Sequence, residues 1–170
     1  MSVDPNIRRL GPEHAAALAS LRREALESHP LAFGASLEDD RCSPDFFRTS
    51  LANPEEQAVF GCFEGTGLAG MVGVRRETAV KRRHRAQVWG MYVAPRARQK
   101  GAGSALLQAA IEQARSWPGV VQVHLSVTEP AVAAQRLYEA VGFRTWGHEP
   151  RALQWEGSFV DESHLVRDLA

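Results

Sequence analysis

Between Gly101 and Val141 the hydrophobic period changes twice, and this limits the folds open to the chain more than any other feature. Leu107, Ala110, Ile111 and Ala114 recur at helical spacing. Pro118 and Gly119 stop that helix. Val121, Val123, Leu125 and Val127 then alternate with Gln122, His124, Ser126 and Thr128, the period of two expected of a strand. Ala134, Leu137, Tyr138 and Val141 return to the helical period, and Gly142 ends the stripe. Strand and helix alternating in this way, with hairpins on both sides, give a mixed sheet covered by helices.

The flanking segments supply those hairpins. Asn6 to Leu10 reads as a short first strand, after which Pro12 and Glu13 open a helix with Leu18, Leu21 and Ala25 on one face. A loop from His29 to Cys42 carries Glu38, Asp39 and Asp40, and Ser43-Pro44-Asp45 starts a second short helix through about Leu51. Ala58 to Phe63 and Leu68 to Arg76 are two strands around Gly65, Thr66 and Gly67. A basic loop, Lys81 to Arg85, leads to a third strand at Val88 to Val93. The tail forms two more strands, Arg144 to Trp155 and Ser158 to Leu169, around Glu156 and Gly157.

Composition bounds the function. A chain of 170 residues fits one domain, residues 1–170, able to bury roughly 70% of its unfolded surface without disulfide or metal. An apolar share of 44% with zero net charge excludes disorder, and 20 basic against 20 acidic residues argue against a nucleic-acid or membrane-surface protein. The basic loop has no interleaved aromatic platform of the kind that stacks on nucleic acid. Cys42 and Cys62 form no CxxC, and the 6 histidines have no ligand spacing, so no metal is expected. Met1 to Leu10 lacks the apolar core of a secretory signal, and no apolar run approaches the ~20 residues of a membrane span. The expectation is a soluble, cytoplasmic protein.

The chemistry sits in Val93-Ala94-Pro95-Arg96-Ala97-Arg98-Gln99-Lys100-Gly101-Ala102-Gly103-Ser104, which follows a strand and opens a helix. Glycines there let backbone N–H groups approach a ligand without a Cβ in the way. The new helix offers unsatisfied N–H groups and a partial positive charge, which suits phosphate. The same glycines would also serve a turn that is merely tightly packed. Two phosphate-loop types fail: no Gly-Lys-Ser or Gly-Lys-Thr occurs, and Gly101-Ala102-Gly103-Ser104-Ala105-Leu106 lacks the third glycine of a dinucleotide fingerprint.

Val93-x-Pro95 followed by Arg98-x-x-Gly101-x-Gly103 closely resembles the acyl-CoA signature of the GNAT superfamily of N-acetyltransferases. Ala134-x-x-Leu137-Tyr138-x-x-x-Gly142-Phe143 resembles the family's next helix and its exit. The resemblance implies an α/β fold with a mixed, mainly antiparallel sheet flanked by helices, whose splayed central strand pair holds acyl-CoA. It implies acetyl-CoA as co-substrate, bound by the backbone of Met91, Tyr92 and Val93 and by the turn Arg98, Gln99, Lys100, Gly101, Ala102, Gly103 and Ser104. Tyr138 then stands near the sulfur as general acid, although its place on an apolar stripe also suits a core aromatic. The reaction implied is direct attack of a primary amine on the thioester, with a small amine as acceptor. A protein N-terminal acetyltransferase, or a CoA-binding sensor that has lost turnover, are the alternatives. Homodimers through the segment from Trp146 to Leu169 are common among such proteins.

Two departures from the family pattern matter. Gln87 stands where some protein-lysine acetyltransferases carry a glutamate base, and Ala131 where many members have an asparagine that contacts the cofactor. A free alkylamine of pKa ~10 must still lose a proton. Glu129, at the end of the alternating strand, His124, His148 and Glu149 are the base candidates, and no single one rises above the rest. The acidic run at Glu38 would draw a cationic amine, unless it is only a solvated loop. The basic loop could reach the 3′-phosphate of CoA or an acidic acceptor, or be an exposed hairpin connection.

Overall fold

A computed structural model describes residues 5–39 and 41–170. Seven strands form one sheet: β1 (Asn6–Arg9), β2 (Gln57–Glu64), β3 (Gly67–Arg76), β4 (Arg85–Val93), β5 (Gln122–Thr128), β6 (Arg144–Trp155) and β7 (Ser158–Asp168). Their order is β1-β2-β3-β4-β5-β7-β6. Every neighbouring pair is antiparallel except β4–β5, which is parallel. Among the described residues four α-helices accompany them: α1 (Ala15–Ser28), α2 (Pro44–Leu51), α3 (Ala102–Ser116) and α4 (Val132–Ala140). The mixed, mainly antiparallel sheet and its flanking helices agree with the sequence reading.

Local chemistry accounts for the helix ends. Pro12 starts a 3-10 turn that runs into α1. The Ser43 hydroxyl accepts the Phe46 N–H at 3.1 Å, capping α2 where Ser-Pro-Asp predicts it. At the end of α4, Gly142 N–H donates to Glu139 O and Phe143 N–H to Tyr138 O, with Gly142 at φ 95°. That bond pair needs a left-handed residue, which is why a glycine follows the helix.

The two faces of β3 divide the core. Val72 and Val74 point to α3, joining Leu106, Leu107, Ala110 and Ile111, whereas Met71 meets Leu18, Leu21 and Phe47 of α1 and α2. A strand covered on both faces reads as a continuous apolar run, and Leu68 to Val74 is one. One expectation is corrected here. β5 begins at Gln122, so Val121 lies outside the alternation and is 46% exposed, while Val120 takes a place in the core.

Candidate active site

A gap in the sheet builds the site. β4 pairs with β3 at Met71–Tyr92 and again at Gly73–Trp89, so Gly90 and Met91 together face Val72. One extra residue on β4 is a bulge, and Gly90 absorbs it at φ 62°, a conformation a side chain would strain. On its other edge β4 pairs with β5 only over Arg85–Gln87 and Gln122–His124. Past Gln87 the strands part, while β5 stays bonded to β7 as far as Thr128–Glu162. The backbone of residues 88–93 is thus left open towards a wedge between two parallel strands.

At the C-terminal end of β4 the wedge widens to a cavity of about 570 Å³ between the 98–104 turn and α4. Gln99 at φ 64° and Gly101 at φ 77° shape the turn, and Gly101 caps α3 without a side-chain partner. The first N–H groups of α3 are therefore unclaimed by the helix. A Cβ on Gly103 would lie 3.0 Å from Leu137 Cδ2 and 3.5 Å from Met91 Cε, so the cavity is narrow at this wall. Arg98 Nε donates to Val93 O at 2.8 Å, bracing the turn against β4. The cradle suits a phosphate-bearing chain.

All but two of the residues that the sequence assigns to the cofactor line this cavity: Met91, Tyr92, Val93, Arg98, Gln99, Gly101, Gly103 and Ser104. Lys100 instead donates to Glu64 Oε1 of β2 at 2.7 Å, and Ala102 is buried in the core. The Tyr92 hydroxyl leaves the cleft to donate to Glu24 Oε1 of α1 at 2.9 Å. Ala131, in place of the family asparagine, lines the wall without a polar group.

Tyr138 stands at the junction with a second cavity of about 180 Å³, lined on its far side by Gln87, Ser126 and Glu162. Tyr138 is only 7% exposed, and burial pushes its phenol up to about 12. Glu162 of β7 is the only carboxylate lining either cavity among the described residues. Burial raises its pKa, helped by the negative charge of Glu149 and opposed by His164 and the Ser126 hydroxyl. The sequence reading missed it. Its signal was weak, a lone acidic residue in a terminal strand, and only the β5–β7 register brings it opposite Thr128 at the cleft.

The candidate bases named from sequence lie elsewhere. Glu129 meets His148 Nδ1 at 3.1 Å, and His148 Nε2 meets Asp161 at 3.2 Å. Glu149 pairs with His164 at 2.8 Å. None of these five residues lines the Tyr138 cavities. His124 faces a smaller cavity beside Arg85, where burial first, and then that guanidinium, lower its pKa to about 4. Sheet pairing brings together Glu129, His148 and Asp161, and separately Glu149, Glu162 and His164, in groups spaced closely enough to ligate a cation. Linear spacing gave no hint of either.

The loop expectations resolve differently. Asp39 Oδ2 accepts from Ser36 Oγ at 2.8 Å in a local turn, and Asp40 lies outside the described residues. The basic loop sits at the N-terminal end of β4, opposite the 98–104 turn; Arg83 pairs with Glu56 at 3.3 Å. No helix is long and apolar enough to cross a membrane among the described residues.

Comparisons with known proteins agree with this geometry. The family model described as acetyltransferase (GNAT) family matches residues 18–143. A GNAT-family acetyltransferase from Streptococcus pneumoniae superposes with TM-score 0.85 at 25% identity, over 98% of this chain and 100% of its own. A ribosomal-protein-alanine N-acetyltransferase from Brucella melitensis gives 0.82 at 21%, over 96% and 99%. A phosphinothricin acetyltransferase from Sinorhizobium meliloti, in complex with acetyl-CoA, gives 0.83 at 17%, over 100% and 90%. Among curated protein sequences none matches the chain.

Proposed function

The chain belongs to the GNAT family of acetyltransferases, and from that premise we propose that it moves an acetyl group from acetyl-CoA to the primary amine of a small acceptor, by direct attack in a ternary complex. The observation that carries this reading is the wedge between β4 and β5, with a glycine-shaped helix start at one end and a tyrosine and a glutamate at the other. The acetyl-CoA bound to the Sinorhizobium neighbour supports the choice of donor.

In this reading acetyl-CoA supplies an activated acyl thioester. The amides of the 98–104 turn and the start of α3 hold its pyrophosphate. Backbone groups of Met91 and Val93, freed from pairing with β5, hold the pantetheine arm and polarise the thioester carbonyl. The Glu162 carboxylate takes the proton from the acceptor's ammonium; its raised pKa narrows the gap to an amine near ~10. The freed nitrogen then bonds to the acetyl carbon as the carbon–sulfur bond breaks, and the second proton it sheds in becoming an amide passes to solvent.

Tyr138 serves the leaving sulfur. A phenol near 12 stays protonated at neutral pH and so always presents a donor. Complete transfer to a thiolate whose acid has pKa ~8.5 runs uphill. The phenol therefore stabilises the thiolate through a charge-assisted hydrogen bond, and the sulfur collects its proton later.

The test is colorimetric release of CoA thiol across a panel of amines, amino acids and short peptides, beside a no-amine control, with CoA binding measured by calorimetry. Release that depends on an amine supports the reading. CoA binding with no release for any primary amine or peptide overturns it and leaves a CoA sensor.

A further inference from the structure

A third cavity, about 490 Å³, opens on the face of the sheet that carries α1 and α2. It shares Arg22 and Trp89 with the cavity that holds Glu162, so the two adjoin along β4. Trp89 forms its floor. Opposite Trp89 in the register stands Gly73, where an added Cβ would lie 2.0 Å from Cε2 of the indole. The indole thus occupies the space that a side chain at position 73 would need, and glycine leaves it free. Phe46 and Phe47 of α2 form a wall, and the last turn of α2 is tied down by Gln57 Nε2, which donates to Ser50 O at 2.8 Å and to Ser50 Oγ at 2.7 Å.

The charges around this floor come from three separate elements. Arg22 of α1, Arg41 of the segment before α2, and Arg75 of β3 all line the cavity. Arg22 is 6% exposed and its guanidinium lies 5.1 Å from the centre of the Phe33 ring. Arg75 is held by Gln87 of β4, whose Oε1 accepts from its Nη2 at 2.7 Å. That bond uses one of the five N–H donors of a guanidinium and leaves the others for a ligand. The only described carboxylate on the lining is Asp39, already engaged by Ser36.

We propose that this cavity reads an acid group on the acceptor. The substrate is then an amine that also bears a carboxylate or a phosphorus oxoacid, an amino-acid-type molecule whose nitrogen reaches Glu162 while its acid group is held by Arg75 and Arg41 above Trp89. Planar guanidinium forks match the oxygens of such acids two at a time, which a lysine cannot do. A polyamine would meet like charge instead. Gln87, which stands where some protein-lysine acetyltransferases carry a glutamate, positions Arg75 in this account. The inference rests on the acetyl-transfer reading above and narrows its acceptor.

The test compares matched acceptors: an apolar L-amino acid, its carboxamide, its decarboxylated amine, the corresponding aminophosphonate, and spermidine. With the wild-type protein we expect kcat/KM for the amino acid or the aminophosphonate to exceed that of the carboxamide and the amine at least tenfold, and the two acids tell which oxoacid is meant. Arg75→Gln, and separately Arg41→Gln, should collapse that acid-over-amide ratio about tenfold, chiefly through KM, with the Kd for CoA unmoved. Amide, amine or spermidine turned over as well as the acids, or a ratio that survives both substitutions, overturns the proposal. Calorimetric titration of the acids into the CoA-bound protein separates the two readings. Acid binding that Arg75→Gln abolishes, without thiol release, sinks acetyl transfer and keeps the subsite; thiol release with no acid preference does the reverse.

Discussion

The two ends of the cleft are made in different ways. The end between the 98–104 turn and α4 is built largely from backbone: a bulge at Gly90, a left-handed Gly101, and a Gly103 at which a Cβ would touch Leu137. Its charged side chains are already engaged, Arg98 by Val93 O and Lys100 by Glu64. The other end is built from side chains that five elements bring together: Arg22, Arg75, Trp89, Tyr138 and Glu162. A backbone cradle suits a ligand whose recognised part never changes. A side-chain pocket can be refitted to a new acceptor without disturbing the sheet.

The sharpest way to break this contrast is Glu162→Gln. If the acceptor end carries the chemistry, kcat should fall about 10²–10³-fold at pH 7, in the range for a lost general base, with CoA affinity unchanged. Because burial raises the Glu162 pKa, the carboxylate must ionise before it can act. The wild-type rate should therefore climb through a pH above the ordinary glutamate range, and that limb should vanish in the variant. The sign for stability is opposite. A carboxyl whose folded pKa is raised stabilises the protein below its unfolded pKa and loses that contribution as pH rises through the folded one. Glu162→Gln should thus leave Tm at pH 7 equal or higher, which separates lost catalysis from lost fold.

The same contrast explains what the sequence could tell. Val93 to Ser104 is one continuous segment whose glycines, proline and following helix act on one another locally, so the cradle is readable in a line. The helix stop at Gly142 and the cap at Ser43 are local for the same reason. Glu162 reaches the cavity that Tyr138 lines only because β7 enters the sheet between β5 and β6, an order that hydrophobic period does not encode. Gln87, read from sequence as an absent base, holds Arg75 across a β3–β4 register that no linear spacing announces. Glu129, a base candidate from its place after β5, is drawn to His148 by the β6 hairpin. Sequence distance, and not weakness of the interactions, hid the acceptor end.

Tyr138 joins the two ends, and Tyr138→Phe asks to which it belongs. Hydrogen bonds to a charged group are worth about 1.5–3 kcal/mol, so kcat should drop roughly 10- to 100-fold. CoA binding should change little, because the thiolate appears only as the bond breaks. An unchanged kcat would return Tyr138 to the core beside Phe143, whose ring it meets edge-on at 6.1 Å.

A pair of glycine substitutions sharpens the contrast further. Gly103→Val should weaken CoA binding about tenfold by calorimetry, equivalent to ~1.4 kcal/mol, since the added methyls push towards Leu137 and Met91 across the narrow wall. Gly73→Ala should lift Trp89 from its floor and cost ~1–3 kcal/mol of stability through overpacking. That variant should raise acceptor KM while the Kd for CoA stays put. If each substitution disturbed both ligands equally, the division between backbone cradle and side-chain pocket would fail.

Lys100→Ala is expected to do least, and for that reason it probes the cradle most directly. A lysine in a glycine-rich, phosphate-suited turn invites the view that its ammonium holds the anion. Its ammonium instead pairs with Glu64 on β2, with 63% of its side chain exposed. Exposed pairs contribute about 0–1 kcal/mol, so stability should barely move. If amides of the turn and of α3 bind the pyrophosphate, the Kd for CoA should rise less than about threefold, since the alanine keeps its own N–H. A loss of tenfold or more would mean that the ammonium leaves Glu64 for the ligand, and the cofactor end would then depend on side-chain charge as the acceptor end does.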